Sequence, residues 1–298
     1  MKTGTRISYL AFVLVTFIMS IVVQVVAALL ITLPAGFVVG VQAAMQGITD
    51  TATLNQMTLE MTNRIMPVTI VVTHVLLLIT FGLWYYFKCV KPQKSALKKI
   101  SFKEVFTLRN ILVMIMIAGG MCFFTNFAMP IASMVIPETV MAEYEALMES
   151  AGFGESLLPT IAAVLIAPFG EEFIFRGVTF YYAGKAVSDL QDRRKAFWIA
   201  NCIQALAFGI FHMNLVQGTY AFIMGLALGY LAHRFGTILP AMLGHMIING
   251  LSSFAWEPVA NLLPESYVVY GIGAVVSLAI VFAGLYLGGP ADKEAAIN

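Results

Sequence analysis

The sequence predicts an all-α, polytopic membrane protein with about eight transmembrane helices, and three observations carry that reading. Hydrophobic residues fill 60% of the 298 positions and charged residues only 11%, against about 25% charged in a soluble domain. Mean hydropathy is +0.87. The apolar residues gather into runs close to the ~20 residues that a helix needs to cross a bilayer.

These runs fall near residues 8–32, 66–88, 110–135, 157–183, 196–214, 216–233, 237–255 and 267–287. The first is much longer than a signal-peptide core and is followed by no clear small-residue cleavage site, so it is expected to stay as a membrane helix. Pro34 and Gly36 are expected to kink it rather than end it, letting it run toward Val41. The fifth and sixth runs are separated by almost nothing around Asn214, which predicts a tight hairpin. Gly225 and Gly229 form a GxxxG pair on the sixth, a pattern that favours close helix approach. The acidic stretch 137–155 reads as a solvated, amphipathic loop. Three parts follow: N-terminal spans over 1–156, a core over 157–256, and a last span with a cytoplasmic tail over 257–298.

Charge sets the expected orientation. Lys2 and Arg6 precede the first run, seven basic residues lie between Lys88 and Arg109, four between Lys185 and Lys195, and then come Arg234 and Lys293. Only Arg64 and Arg176 fall outside this set, and the alternate loops are acidic. The positive-inside rule then puts both termini in the cytoplasm. Short loops without organelle signals suit a bacterial plasma membrane. Topology signal and headgroup attraction account for the basic loop 88–109. A net charge of +1 gives no ground for a nucleic-acid partner. Cys89, Cys122 and Cys202 are scattered, form no CxxC pair, and read as packing residues.

The polar residues inside the runs are the informative ones. Glu171, Glu172 and Arg176 interrupt the fourth run, at about +2.5 to +3.5 kcal/mol for an Asp, Lys or Arg at a span centre. Glu172 and Arg176 are four apart and can neutralise each other on one helical face. Glu171 points about 100° away around the helix, and is left to be explained. His212 ends Phe208-Gly-Ile-Phe-His212 late in the fifth run. His245 and Asn249 are four apart in the seventh, so they share a face. They could be no more than an interhelical hydrogen-bond pair, worth about 0.6 kcal/mol. His74 stands by itself beside Thr73 in the second run and reads as a structural hydrogen-bonder, and His233 as an interface residue.

Peptide hydrolysis needs a base for water and donors where the oxyanion develops. A desolvated carboxylate can be the base; histidine and asparagine can donate. No GxSxG is present and no cysteine has a histidine within its motif, so nothing argues for a serine or cysteine nucleophile. Glu171, His212 and His245 would also suit zinc, although HExxH is absent.

Glu171-Glu172-x-x-x-Arg176, Phe208-x-x-x-His212 and His245-x-x-x-Asn249, in that order, resemble the motifs of the CPBP family, the CAAX-processing and bacteriocin-processing intramembrane proteases that include the Ras-converting endopeptidase and Abi proteins. The resemblance covers about residues 157–256, including Ala167-Pro168 before the glutamates and Gly177 after Arg176. It implies a helical membrane fold and cleavage after the cysteine of a prenylated CaaX C-terminus. It also implies that Glu171 activates water with help from His212, that His245 and Asn249 form an oxyanion hole, and that Glu172 and Arg176 hold Glu171 in place. The family is often labelled metalloprotease, and a metal-free glutamate mechanism has also been argued; the residues accommodate either, and the metal-free form is favoured. The implied partners are the lipid bilayer and a membrane-associated peptide or lipidated protein. The competing classes are a non-enzymatic immunity or scaffold protein of the Abi type and a proton-coupled transporter.

Overall fold

A computed structural model describes residues 2–93, 102–151 and 157–289. Among these there are helices and turns but no strand. The chain forms α1 (Thr3–Met45), α2 (Thr51–Val90), α3 (Phe102–Val105), α4 (Leu108–Ala132), α5 (Glu138–Ala151) and α6 (Leu157–Ala186). It continues through α7 (Arg193–Phe211), α8 (Leu215–Phe235), α9 (Leu239–Phe254), α10 (Trp256–Ala260) and α11 (Tyr267–Gly288). Lys94, Lys98, Lys99, Glu155 and Lys293, which enter the charge pattern, lie outside the described residues.

Each of the eight predicted runs corresponds to a helix, but only six are long and apolar enough to cross a membrane: α1, α2, α4, α6, α8 and α11. The count of eight is therefore not met on length and composition. The shortfall has a physical reason. α9 has 16 residues, about 24 Å of rise, which is short of a bilayer core of ~30 Å. α7 opens on Arg193, Arg194 and Lys195 and carries Asn201 and Gln204. Those two amides are fully buried and point at α8 rather than at lipid.

α1 spans 43 residues, about 65 Å, and runs through Pro34 to Met45, in line with the expected continuation toward Val41. Two further expectations are corrected. α2 begins at Thr51, before the apolar part at 66. Hydropathy marks only the apolar part of such helices. The polar turn between 51 and 65 stays helical through the Asp50 cap on the Thr53 amide and through mutual packing of α1 and α2. The stretch 138–151 is a helix, not a loop, with Tyr144 edge-on to Tyr220 of α8. Arg6 at the start of α1 binds both Asp189 oxygens at 2.8 and 2.7 Å, and holds that carboxyl below the ordinary carboxylate range.

α6 is the central element. α1 and α2 pack on one side of it, and α7 and α9 on the other. α4 closes the bundle between α9 and α11. The tight hairpin is present: Met213 adopts a left-handed φ of 50° and Asn214 caps α8 through the Gln217 amide. Cys89 and Cys122 are buried as packing residues, whereas Cys202 is exposed. The His233 ring stacks on Phe197, with centroids 4.4 Å apart.

The GxxxG pair acts as expected, at the α7–α8 contact. Asn201 donates to Leu226 O (3.0 Å), and Gln204 donates to Gly225 O (2.9 Å) and to Asn201 Oδ1 (2.7 Å). A Cβ at Gly229 would collide with both amides. Gly229→Ala is expected to break this buried network and cost about 1–3 kcal/mol. Thermal unfolding in detergent, compared with Gly271→Ala where nothing lies within 4 Å, checks it.

Candidate active site

The site begins with a distortion of α6. Pro168 has no N–H to give the preceding turn, and the helix widens to π geometry over Ala162–Ile166 and again over Phe173–Thr179. Such turns are frequent at functional sites. Here the widening has a traceable effect. The Ala167 amide binds Ala162 O, Pro168 cannot donate, and Ala163 O is left for another partner. Asn249 of α9 supplies it, its Nδ2 donating at 2.8 Å.

The α-helical turn between the two widened stretches, Ala167–Glu172, carries both glutamates. Glu172 is fully buried. Its Oε1 accepts from Arg176 Nη1 at 2.8 Å and from His245 Nδ1 at 2.9 Å. The Arg176 guanidinium lies over the Phe208 ring, 4.4 Å from its centroid. Phe208 in turn meets the rings of His212 and His245 edge-on, at 5.1 and 5.7 Å. The motif residues of three helices thus form one contiguous cluster.

Glu171 is 5% exposed and is arranged differently. Among the described residues its nearest basic groups are histidines: His74 Nε2 lies 3.6 Å from Oε1, and His245 Nε2 lies 3.6 Å from Oε2. His212, just past the end of α7, lies within electrostatic range of the same carboxylate. Two carboxylates face one guanidinium here, and one doubly protonated histidine would bring the cluster to neutrality.

The structure therefore brings Glu171, Glu172, Arg176 and His245 into direct contact, with His212 beside them. Asn249 shares the α6-facing side of α9 with His245 but reaches the backbone one level away, at Ala163. The interhelical hydrogen bonds foreseen for this pair are both made. His74, expected to be a structural hydrogen-bonder, does bind the Ile70 carbonyl at 2.8 Å, and its other ring nitrogen lies 3.6 Å from Glu171.

Among the described residues, no three His, Cys, Asp or Glu side chains are placed to hold a metal ion. His245 Nδ1 is already bound to Glu172.

Residues 153–251 match the family model described as Type II CAAX prenyl endopeptidase Rce1-like. The chain is similar to that family over this third of its length. The match agrees with the resemblance carried by the three motifs and contains all seven motif residues; His74 lies outside it. No curated protein and no solved structure matches the chain. At family level the match supports a CAAX-type intramembrane endopeptidase rather than a scaffold, in an integral, multi-pass membrane protein.

Removing one partner of a buried ion pair leaves the other charge uncompensated. Arg176→Leu is expected to destabilise the protein by about 3–5 kcal/mol. A thermal or denaturant melt in nanodiscs reads it, and an unchanged melt would contradict the pairing of Arg176 with Glu172.

Proposed function

We propose that the protein hydrolyses a peptide bond near the C-terminus of a membrane-associated substrate, a prenylated CaaX chain being the class that the family description suggests. The observation that carries this reading is Glu171: a buried carboxylate that has no Lys or Arg ion pair among the described residues and faces two histidine Nε2 atoms at 3.6 Å. A carboxylate so placed is free to take a proton, whereas Glu172 is committed to Arg176 and His245.

In the proposed step, Glu171 removes a proton from water as the water oxygen bonds the scissile carbonyl carbon, with His212 assisting through its charge. The carbonyl electron pair moves onto oxygen. His245 and Asn249 stabilise that oxyanion, Asn249 with the amide proton not used on Ala163 O. His245 Nδ1 is engaged by Glu172, so Nε2 donates to the oxyanion in the doubly protonated ring. On collapse the C–N bond breaks and Glu171 passes its proton to the leaving nitrogen. Each element is supplied by the chain's own side chains, and no metal enters the step.

An apolar cavity of about 340 Å³ between α4 and the start of α8 is lined by Phe124, Ala128, Met129, Val216, Tyr220 and Ile223. Its volume falls in the ~300–1,000 Å³ range of small-molecule sites. The charge pattern places both termini on the cytoplasmic side of a bacterial plasma membrane in this reading.

The test is cleavage of a farnesylated CaaX peptide by purified protein in nanodiscs, with mass spectrometry locating the cut. Wild type is expected to release the last three residues and Glu171→Gln to release none, a loss of at least ~10²-fold. Cleavage that survives in Glu171→Gln would sink the assignment of Glu171 as base.

A further inference from the structure

We propose that His74, on α2 and outside the family-matched segment, is a further catalytic residue that holds the attacking water together with Glu171. This rests on the reading of Glu171 as the base.

The hydrogen bonds of His74 fix its chemistry. Nδ1 lies 2.8 Å from the Ile70 carbonyl, one turn back on α2. A carbonyl only accepts, so Nδ1 carries the ring proton, and in the neutral ring Nε2 presents a lone pair. That lone pair faces Glu171 Oε1, another acceptor, at 3.6 Å. The separation is too long for a direct hydrogen bond, and a polar contact of this length invites a shared water. Water has two protons to give, one to Nε2 and one to Oε1. Its own lone pairs then point away from both, toward a carbonyl carbon.

The step balances with that second contact in place. Glu171 takes the proton on its side as the O–C bond forms. His74 accepts a hydrogen bond from the other O–H, which stays on oxygen and becomes part of the new carboxyl group. The proton on Glu171 leaves with the amine.

The approach that delivers His74 is built into the two helices. A Cβ on Gly170 would lie 3.3 Å from His74 O and 3.5 Å from Leu77 Cβ. Glycine next to Glu171 lets α2 lie directly on this turn of α6. Leu77 and Phe81, both fully buried, continue the same contact along α2.

Two measurements on the full-length protein in nanodiscs test the proposal. With the farnesylated CaaX peptide, His74→Leu is expected to lower kcat about 10²-fold with KM within about twofold. His74→Gln, whose amide oxygen can accept the same water proton, should recover most of that loss. A His74→Leu enzyme with wild-type kcat overturns the proposal, and so does equal damage from Gln and Leu. The second readout needs no substrate. In ¹⁵N-histidine NMR, with the His74 signals assigned by their disappearance in His74→Gln, Glu171→Gln should move the His74 Nε2 resonance and leave its Nδ1 nearly in place. An unmoved Nε2 signal overturns the coupling, whereas a wild type inactive on the peptide counts against the substrate and leaves the NMR result to decide His74.

Discussion

Everything at the centre of this molecule depends on one buried contact, the Glu172 carboxylate held by Arg176 at 2.8 Å and by His245 at 2.9 Å. Charges in the interior of a membrane protein persist when paired, because the desolvation cost of each is offset by the other. This contact joins α6 to itself and α6 to α9. It also fixes the His245 ring, so that the opposite nitrogen turns to Glu171. The guanidinium is covered on one face by Phe208, which brings α7 into the same cluster. Two adjacent glutamates thereby acquire different surroundings: Glu172 is held by Arg176 and His245, whereas Glu171 faces two histidine Nε2 atoms at 3.6 Å.

The backbone of α6 is shaped around that division. Pro168 and the two π-helical stretches widen the helix on either side of the glutamates and free Ala163 O, which Asn249 satisfies. The asparagine thereby ties α9 to the widened turn of α6 through one amide proton. On the other side, Gly170 lets α2 come close enough for its histidine to reach Glu171. A site assembled from four helices needs such close approaches, since side chains alone cannot bridge a wider gap without leaving buried polar atoms unsatisfied.

Much of this was legible in the sequence. The apolar runs located every major helix, and the i,i+4 spacing of Glu172 and Arg176 foretold their pairing. The equal spacing of His245 and Asn249 foretold a shared face, which does turn toward α6. What the sequence could not show has physical causes. Hydropathy marks the apolar part of a helix, so it does not reveal the polar first half of α2 or the amphipathic α5. It also credited α7 and α9 with full spans, although α9 is too short and α7 hides its amides against α8. A lone polar residue carries no periodicity, so nothing in the sequence around His74 names its neighbour across the bundle. Its partner is set by the packing of α2 on Gly170, which is tertiary information.

The division of labour between the two glutamates is the central claim, and thermal unfolding of Glu171→Gln and Glu172→Gln side by side in nanodiscs tests it most directly. Glu172→Gln leaves Arg176 buried beside a neutral amide and should melt well below wild type, by about 3 kcal/mol or more. Glu171→Gln removes a negative charge that has no dedicated cation and should melt at or above wild type, as expected where a site trades stability for function. Equal destabilisation of the two variants, or a larger loss in Glu171→Gln, would contradict the account.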